Sequence, residues 1–294
     1  MKRLISLFLL CLLLAGCAPR QEQADIAATT LPVWEFTSRL CEGTPLSVTR
    51  LVTEEVSCLH DYSLNVRQAK AAEAAELIVI SGAGLEEFMH DLLQGSPVID
   101  ASAGIPLLTP EDHHHGHEED HSDHEGHHHE EDPHIWLSPA NAMTMAETIC
   151  QGLCARYPQY EEAFRENLTV LTEDLKALNA YGQQQLSALS YREIITFHDG
   201  FSYFAHAFDL TILRAVEEES GSEASAKELI GLIEEVEHHK LPAIFTEVSG
   251  SVSAAGIISR ETGCASYSLD MAMAGNSYFT AMYRNIDTIR EALQ

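Results

Sequence analysis

Three histidines and one aspartate stand at or just after the carboxyl ends of predicted β-strands. His60 lies in SCLHDYSLNV and His134 in DPHIWLSP, while His198 closes EIITFHDG. Asp270 ends the predicted strand SYSLD. In open α/β sheets, ligands collect at the carboxyl ends of strands, so two such ends from each half of the chain would face one cleft. Three imidazoles and a carboxylate, at about 2.0–2.2 Å from the ion, make a reasonable shell for Zn²⁺.

A second group of histidines crowds into residues 113–129. The surrounding segment, from Glu111 to Asp132, holds ten acids and no Lys or Arg. Because residues 111–132 have no apolar anchor to offset their ordering entropy, we expect a mobile loop. Its imidazoles would form weak, exchangeable metal sites, or else the segment is a solubilising insertion whose histidines do little. The auxiliary candidates are His113, His114, His115, His117, His121, His124, His127, His128 and His129.

Side chains beside the four candidate ligands have two interpretations each. Asp199 and Glu247 could accept hydrogen bonds that fix imidazole tautomers. Asp199 could equally cap the helix expected near Gly200, and we prefer the cap because it needs nothing else. Cys58 could add a thiolate ligand, but strand alternation favours its burial.

The first half of the chain alternates strands with helices, which is typical of an α/β lobe. DIAATTLPVWEFTSRL predicts a strand leading into a helix, and SVTRLVT, LIVIS and PVID predict three more strands. Ser138 and Pro139 predict the start of a helix that runs to about Tyr157. Apolar residues at three- and four-residue spacing then predict a helix over 159–188, roughly 45 Å long, which could brace two lobes.

The α/β rhythm resumes after the long helix. EIITF, LTILRAV, PAIFTEV and SYSLD are predicted strands, and a final helix covers about 278–293. We find no sequence repeat between the halves. The prediction is therefore two α/β lobes, each a mostly parallel sheet flanked by helices, with the metal between them. Their predicted bounds are 25–157 for the N-terminal lobe, 158–189 for the bridging helix and 190–294 for the C-terminal lobe.

The first residues, MKRLISLFLLCLLLAGC, combine a basic start with an apolar run too short for a comfortable membrane span. LAGC resembles the lipobox of bacterial lipoproteins, which implies a signal peptide at 1–16, acylation of Cys17 and a tether at 17–24. A plain secretory signal is the alternative. We expect an extracytoplasmic protein anchored to the bacterial membrane.

Net charge bears on the class of binding partner, and the cysteine count bears on disulfide formation. The formal net charge of -28 would repel phosphate backbones, so nucleic-acid binding is excluded. Beyond Cys11 and Cys17 five cysteines remain, an odd number. Cys150 and Cys154 lie one helical turn apart, where a bridge fits poorly, so free thiols are expected. Cys41 and Cys58 are a candidate pair.

Four windows of the sequence resemble one family. They are similar to the metal-binding receptors of ABC importers, of the zinc/manganese type. The windows are LHDYSLNVRQAKAAEAAELIVISGAGLE, DPHIWLSPANA, FHDGFSYFAHAFDL and SLDMA…NSYFTAMYRNIDTIREAL. The match covers essentially the whole mature chain in order. It implies two lobes joined by one rigid helix, with the metal between them. Carried over residue by residue, it implies that His60, His134, His198 and Asp270 are the four ligands.

Two features of the resemblance favour zinc over manganese. Manganese-type members tend to place a second carboxylate where His198 stands, and imidazole suits zinc. A His-rich insertion before DPH is also typical of zinc members. The resemblance implies a monomeric receptor that captures Zn²⁺ and passes it to an ABC permease with its ATPase. It implies no enzymatic activity.

Two alternative functions stand beside the receptor. An envelope zinc hydrolase would use Glu247 or Asp199 as general base, but the chain has neither HExxH nor a GxSxG turn. An adhesin or metal buffer without a permease partner is the third class.

Overall fold

The structure, a computed structural model, describes residues 24–54, 56, 59, 62–108, 131–216, 225–248 and 252–294. The predicted signal peptide, Cys17, Cys58, His60 and the nine histidines of 113–129 lie outside these ranges. Within them, no helix has both the length and the apolar character needed to cross a membrane.

The N-terminal lobe is built on a four-stranded parallel sheet. Its strands are β1 (Ile26–Ala28), β2 (Val48–Arg50), β3 (Leu77–Ile80) and β4 (Val98–Asp100), in the order β2-β1-β3-β4. Every residue of β3 is buried, as the apolar run LIVI predicts for a strand covered on both faces. The helices of this lobe are α1 (Leu31–Leu40), α2 (Val66–Ala74) and the short α3 (His90–Leu93).

A buried carboxylate, Glu86, ties together the ends of β1 and β3. Its side chain accepts hydrogen bonds from the Thr29 hydroxyl at 2.6 Å and from the backbone N–H groups of Ser81 and Gly82 at 2.8 and 3.0 Å. Burial raises the pKa of Glu86 to about 7, and the three donors oppose that rise. The network fixes the carboxyl ends of two neighbouring strands, the edge at which a ligand is expected.

One long helix lies between the lobes, as predicted, and a further helix precedes it. The helix α4 spans Pro139–Arg156, and the Ser138 hydroxyl accepts a hydrogen bond from the Asn141 N–H at 3.4 Å, which confirms the expected N-cap. After a 3₁₀ turn, the helix α5 spans Glu161–Leu186. Its 26 residues correspond to about 39 Å.

The C-terminal lobe has a second four-stranded parallel sheet. Its strands are β5 (Glu193–Thr196), β6 (Thr211–Ala215), β7 (Ala243–Glu247) and β8 (Ala265–Leu269), in the order β6-β5-β7-β8. The helices are α6 (Ser202–Ala207), α7 (Ala226–His239), α8 (Ser253–Thr262) and α9 (Tyr278–Leu293). The two-lobe fold class is therefore confirmed.

The two sheets have the same strand order. In each, the second strand along the chain lies at one edge, followed by the first, the third and the fourth. The sequence shows no repeat because the common feature is connectivity. Parallel strands joined by right-handed crossovers allow few topologies, whereas the residues that fill each sheet are set by local packing.

One prediction about the loop after β5 is wrong. The helix α6 begins at Ser202, its N-cap position is Phe201, and no side chain caps it. Asp199 lies upstream of that position and is exposed, so it is not the N-cap. The loop between β5 and α6 is longer than the sequence suggests, so the N-cap position of α6 lies at Phe201.

A single cluster of buried apolar residues extends through both lobes. It includes Phe36 of α1, Leu171 of α5, and Tyr278 and Ile286 of α9. The rings of Phe36 and Tyr278 meet edge to face at 5.1 Å between centroids. Because α5 packs on α1 and also on α9, the long helix contacts both lobes, as its length predicted.

Candidate metal centre

His134 is held in a fixed orientation between β4 and α4. It precedes the 3₁₀ turn Ile135–Leu137 and is 2% exposed. Oδ1 of Asp132 accepts hydrogen bonds from the His134 backbone N–H at 2.9 Å and from its Nδ1–H at 2.8 Å. With Nδ1 as the donor, Nε2 carries a lone pair and can bind a metal.

His198 follows β5 and has a similar arrangement. Its Nδ1 lies 3.4 Å from Oε1 of Glu247, the last residue of β7. This carboxyl oxygen is buried and has no closer hydrogen-bond partner among the described residues. The Thr196 hydroxyl donates to the His198 carbonyl at 3.0 Å, which fixes the backbone below the ring.

Burial, and then the nearby charge of Asp270, raises the pKa of Glu247 to about 8. A bound divalent cation would oppose both effects, because it attracts the ionised carboxylate. The environment of Glu247 is thus one in which a cation is electrostatically favourable.

The two imidazoles converge on one point from different lobes. Nε2 of His134 and Nε2 of His198 are 3.4 Å apart, and the rings are inclined at 86°. Two nitrogen ligands at about 2.05 Å from a tetrahedral ion would be roughly 3.3 Å apart. The spacing therefore matches two ligands of one tetrahedral metal.

Asp270 directly follows β8, and its backbone is fixed by Asn285. The Asp270 N–H donates to Oδ1 of Asn285 at 2.8 Å, and Nδ2 of Asn285 donates to the Asp270 carbonyl at 2.7 Å. The carboxylate accepts from the Ala272 N–H at 2.8 Å, and with Glu247 it lines a cavity of about 260 Å³.

The structure brings together two of the four predicted ligands. Across the described ranges, no three His, Cys, Asp or Glu side chains are grouped closely enough to enclose an ion. Asp270 lines the adjoining cavity, and His60 is outside the described residues. The four-ligand set remains a prediction.

Asp132 is a site residue that the sequence assigned to the wrong segment. It was placed at the end of the mobile loop, yet its carboxylate orients His134, and its N–H donates to the Leu108 carbonyl at 2.9 Å. The hydroxyl of Tyr203 donates to the Asp132 carbonyl at 3.1 Å and accepts from the Leu108 N–H at 2.9 Å. Leu108 and Asp132 are thus bonded to each other and to Tyr203 beside His134. The sequence signal that could have identified Asp132 is its position two residues before His134, in Asp-Pro-His.

Trp136 was also missed, and it connects the two lobes. It is fully buried, and its ring contacts that of His134 at 5.5 Å between centroids. Its Nε1–H donates to the Met271 carbonyl at 2.7 Å, and the Tyr278 hydroxyl donates to the Trp136 carbonyl at 2.8 Å. The first of these bonds joins the residue two after His134 to the residue next to Asp270, and the second joins it to the start of α9.

The sequence matches the profile of one protein family over residues 26–292, that of ZnuA, the periplasmic zinc-uptake complex component A. The zinc-binding lipoprotein AdcA of Streptococcus pneumoniae serotype 4 is 30% identical over 311 residues. That alignment covers 98% of this chain and 60% of AdcA, so the chain spans less than two thirds of this relative.

Solved structures have the same fold. The Zn(II)-bound ZnuA-like domain of Streptococcus pneumoniae AdcA superposes with a TM-score of 0.77 at 25% identity, over 92% of this chain and 99% of that domain. The crystal structure of ZnuA superposes with a TM-score of 0.76 at 26% identity, again over 92% of this chain and 99% of the other.

Proposed function

The chain belongs to the family of the periplasmic zinc-uptake complex component A, and from that membership we propose that it is an extracytoplasmic receptor for Zn²⁺. It would capture the ion between its lobes and deliver it to an ABC permease and its ATPase. The relative AdcA is named as zinc-binding, and the superposed AdcA domain is a Zn(II)-bound one. The mechanism is binding and release, with no bond of a substrate made or broken.

The observation that carries the proposal is the pair of imidazoles. Their Nε2 atoms are 3.4 Å apart, and a carboxylate lies at the Nδ1 of each ring. The pairing of carboxylate, histidine and metal is a recurrent arrangement in zinc sites, because it fixes the tautomer and raises ligand basicity. Two imidazoles favour zinc over manganese, which prefers oxygen ligands.

The ligand set that we propose is His60, His134, His198 and Asp270. Four protein ligands would leave no open position for a reactive water, which distinguishes a carrier site from a catalytic one. A hydrolase with Glu247 as base is less well supported, because Glu247 lies at the Nδ1 of His198, on the side of the ring away from Nε2. Cys17 would carry the lipid anchor, and the nine loop histidines would be auxiliary.

Removing residues 113–129 tests whether the tight site lies in the cleft. The deleted chain is expected to retain one Zn²⁺ per molecule through competition with a graded chelator, while total zinc bound at low chelator falls. The cleft keeps its ion because its ligands are preorganised, whereas loop chelates cost ordering entropy. Metal analysis after gel filtration provides the measurement, and the intact chain is the control. Loss of the chelator-resistant ion on deletion would place the tight site in the loop and contradict the proposal.

The carboxylates beside the two imidazoles provide a second test. Asp132→Asn and Glu247→Gln keep the size of each side chain but remove its charge, and each is expected to weaken Zn²⁺ binding about 10- to 100-fold. Competition with a zinc-sensitive dye gives the affinities. Glu261→Gln, an exposed carboxylate in the same lobe as Glu247, is the matched control and should bind like the wild type. Unchanged affinity in both site variants would show that neither carboxylate acts on its imidazole.

A further inference from the structure

Two cysteines form a close pair of thiols on α4, away from the cleft. The Sγ atoms of Cys150 and Cys154 are 4.0 Å apart, and both residues are free thiols. Cys150 is 2% exposed and faces the core, whereas Cys154 is half-buried and can be reached from solvent. Because α4 starts at Pro139, Cys150 lies about 17 Å along the axis from the helix end next to His134.

Helix geometry prevents this pair from forming an unstrained disulfide. Residues four apart on an α-helix have Cα atoms about 6 Å apart. Both Cα–Cβ bonds tilt the same way along the axis, so the Cβ atoms stay about as far apart. A disulfide needs Cβ atoms at about 3.8 Å. The two thiols are thus close in space but poorly placed to oxidise each other.

The spacing does suit a metal ion held between two sulfur atoms. Two sulfur–metal bonds of about 2.3 Å span 4.0 Å at an angle of roughly 120°. Rotation of either side chain about its Cα–Cβ bond changes this sulfur–sulfur distance, and with it the angle at the metal. Zn²⁺ would need four ligands, and within the described ranges no third ligating side chain joins the pair. Soft ions that are satisfied by two thiolates, such as Cu(I) and Ag(I), fit better.

The surroundings supply a counter-charge. Burial, and then the neighbouring Cys154, raises the pKa of Cys150 to about 12; the charge of Arg165 on α5 lowers it, and the charge of Glu161 raises it by less than Arg165 lowers it. Arg165 interacts electrostatically with both thiols and also pairs with Glu161 at 2.7 Å. A monovalent ion between two thiolates carries a net charge of −1, and Arg165, whose effect on Cys150 exceeds the opposing effect of Glu161, offsets part of it.

We propose that Cys150 and Cys154 bind one soft monovalent metal ion of the Cu(I)/Ag(I) class as a bis-thiolate, at a site separate from the zinc cleft. Binding replaces two S–H bonds by two sulfur–metal bonds and releases two protons, so no oxidant or reductant takes part. Such a site would let the receptor hold a thiophilic ion without loading its cleft.

The probe is Ag(I), added to the full chain in the presence of excess free histidine, which competes for silver bound by imidazoles. After gel filtration, the wild type is expected to retain one silver ion per chain, and Cys150→Ser and Cys154→Ser are expected to retain close to none. Cys264→Ser removes another buried thiol and serves as the matched control, with retention like the wild type.

Three results would overturn the proposal: no silver on the wild type, wild-type retention by both pair variants, or equal loss in Cys264→Ser. Far-UV circular dichroism and retention of one chelator-resistant zinc ion report whether each variant is folded. Should Cys150→Ser fail to fold, Cys154→Ser decides alone, because its side chain is only half-buried.

Discussion

Replacing His134 by Ala is expected to weaken Zn²⁺ binding by at least about 100-fold, more than the loss of a partner outside the metal shell. The substitution removes a nitrogen ligand that is buried, oriented by Asp132, and 3.4 Å from Nε2 of His198. Competition titration against a graded series of chelators measures the change.

His206→Ala is the control for this experiment. His206 is an exposed histidine on α6, in the same lobe as His198, and its replacement should leave zinc affinity unchanged. His198→Ala should resemble His134→Ala. Near-native affinity in both cleft variants would mean that the two imidazoles are not ligands, and the proposed site would have to be abandoned.

Trp136→Ala is expected to lower the free energy of unfolding by about 4 kcal/mol, a cost typical of truncating a fully buried Trp. The ring fills space between His134 and the strand-end segment of the other lobe, and its Nε1–H donates to the Met271 carbonyl at 2.7 Å. Its loss leaves both a cavity and an unpaired buried acceptor. Chemical denaturation of the zinc-free protein gives the value.

Trp136→Phe separates the two contributions to that loss. Phenylalanine keeps much of the ring volume but cannot donate to Met271, so a loss of about 1–2 kcal/mol is expected. Trp34, a half-buried tryptophan on α1, offers the comparison, since Trp34→Phe should cost less than Trp136→Phe. A loss below about 1 kcal/mol for Trp136→Ala would show that this residue does not join the lobes.

Local patterns predicted most of the elements and the strand-end position of His198. The apolar run LIVI is β3, the Ser-Pro pair starts α4, and the bounds of α9 are those expected. His198 follows β5, as its place after a predicted strand implies, and strand ends are readable from sequence. His134 follows no strand among the described residues and instead precedes a 3₁₀ turn, so the prediction of a strand end at His134 is wrong, although its ring does meet that of His198.

Contacts between residues far apart in sequence could not be predicted in the same way. The bond from Trp136 to Met271 spans 135 residues, and no periodicity encodes such a pairing. Asp132 was assigned to the loop because acids precede it, although a neighbour two residues away, His134, determines its role. The wrong cap at Asp199 has a similar origin, since a helix start shifted by two residues changes which position is the cap.

The apolar cluster that runs through both lobes couples the packing of one lobe to that of the other. We therefore expect heating to melt the chain in a single calorimetric transition. An ion bound only by the native state then stabilises the entire chain by mass action. The melting temperature of the whole protein would then report the fraction of molecules that hold an ion in the cleft, although only a few side chains form that site.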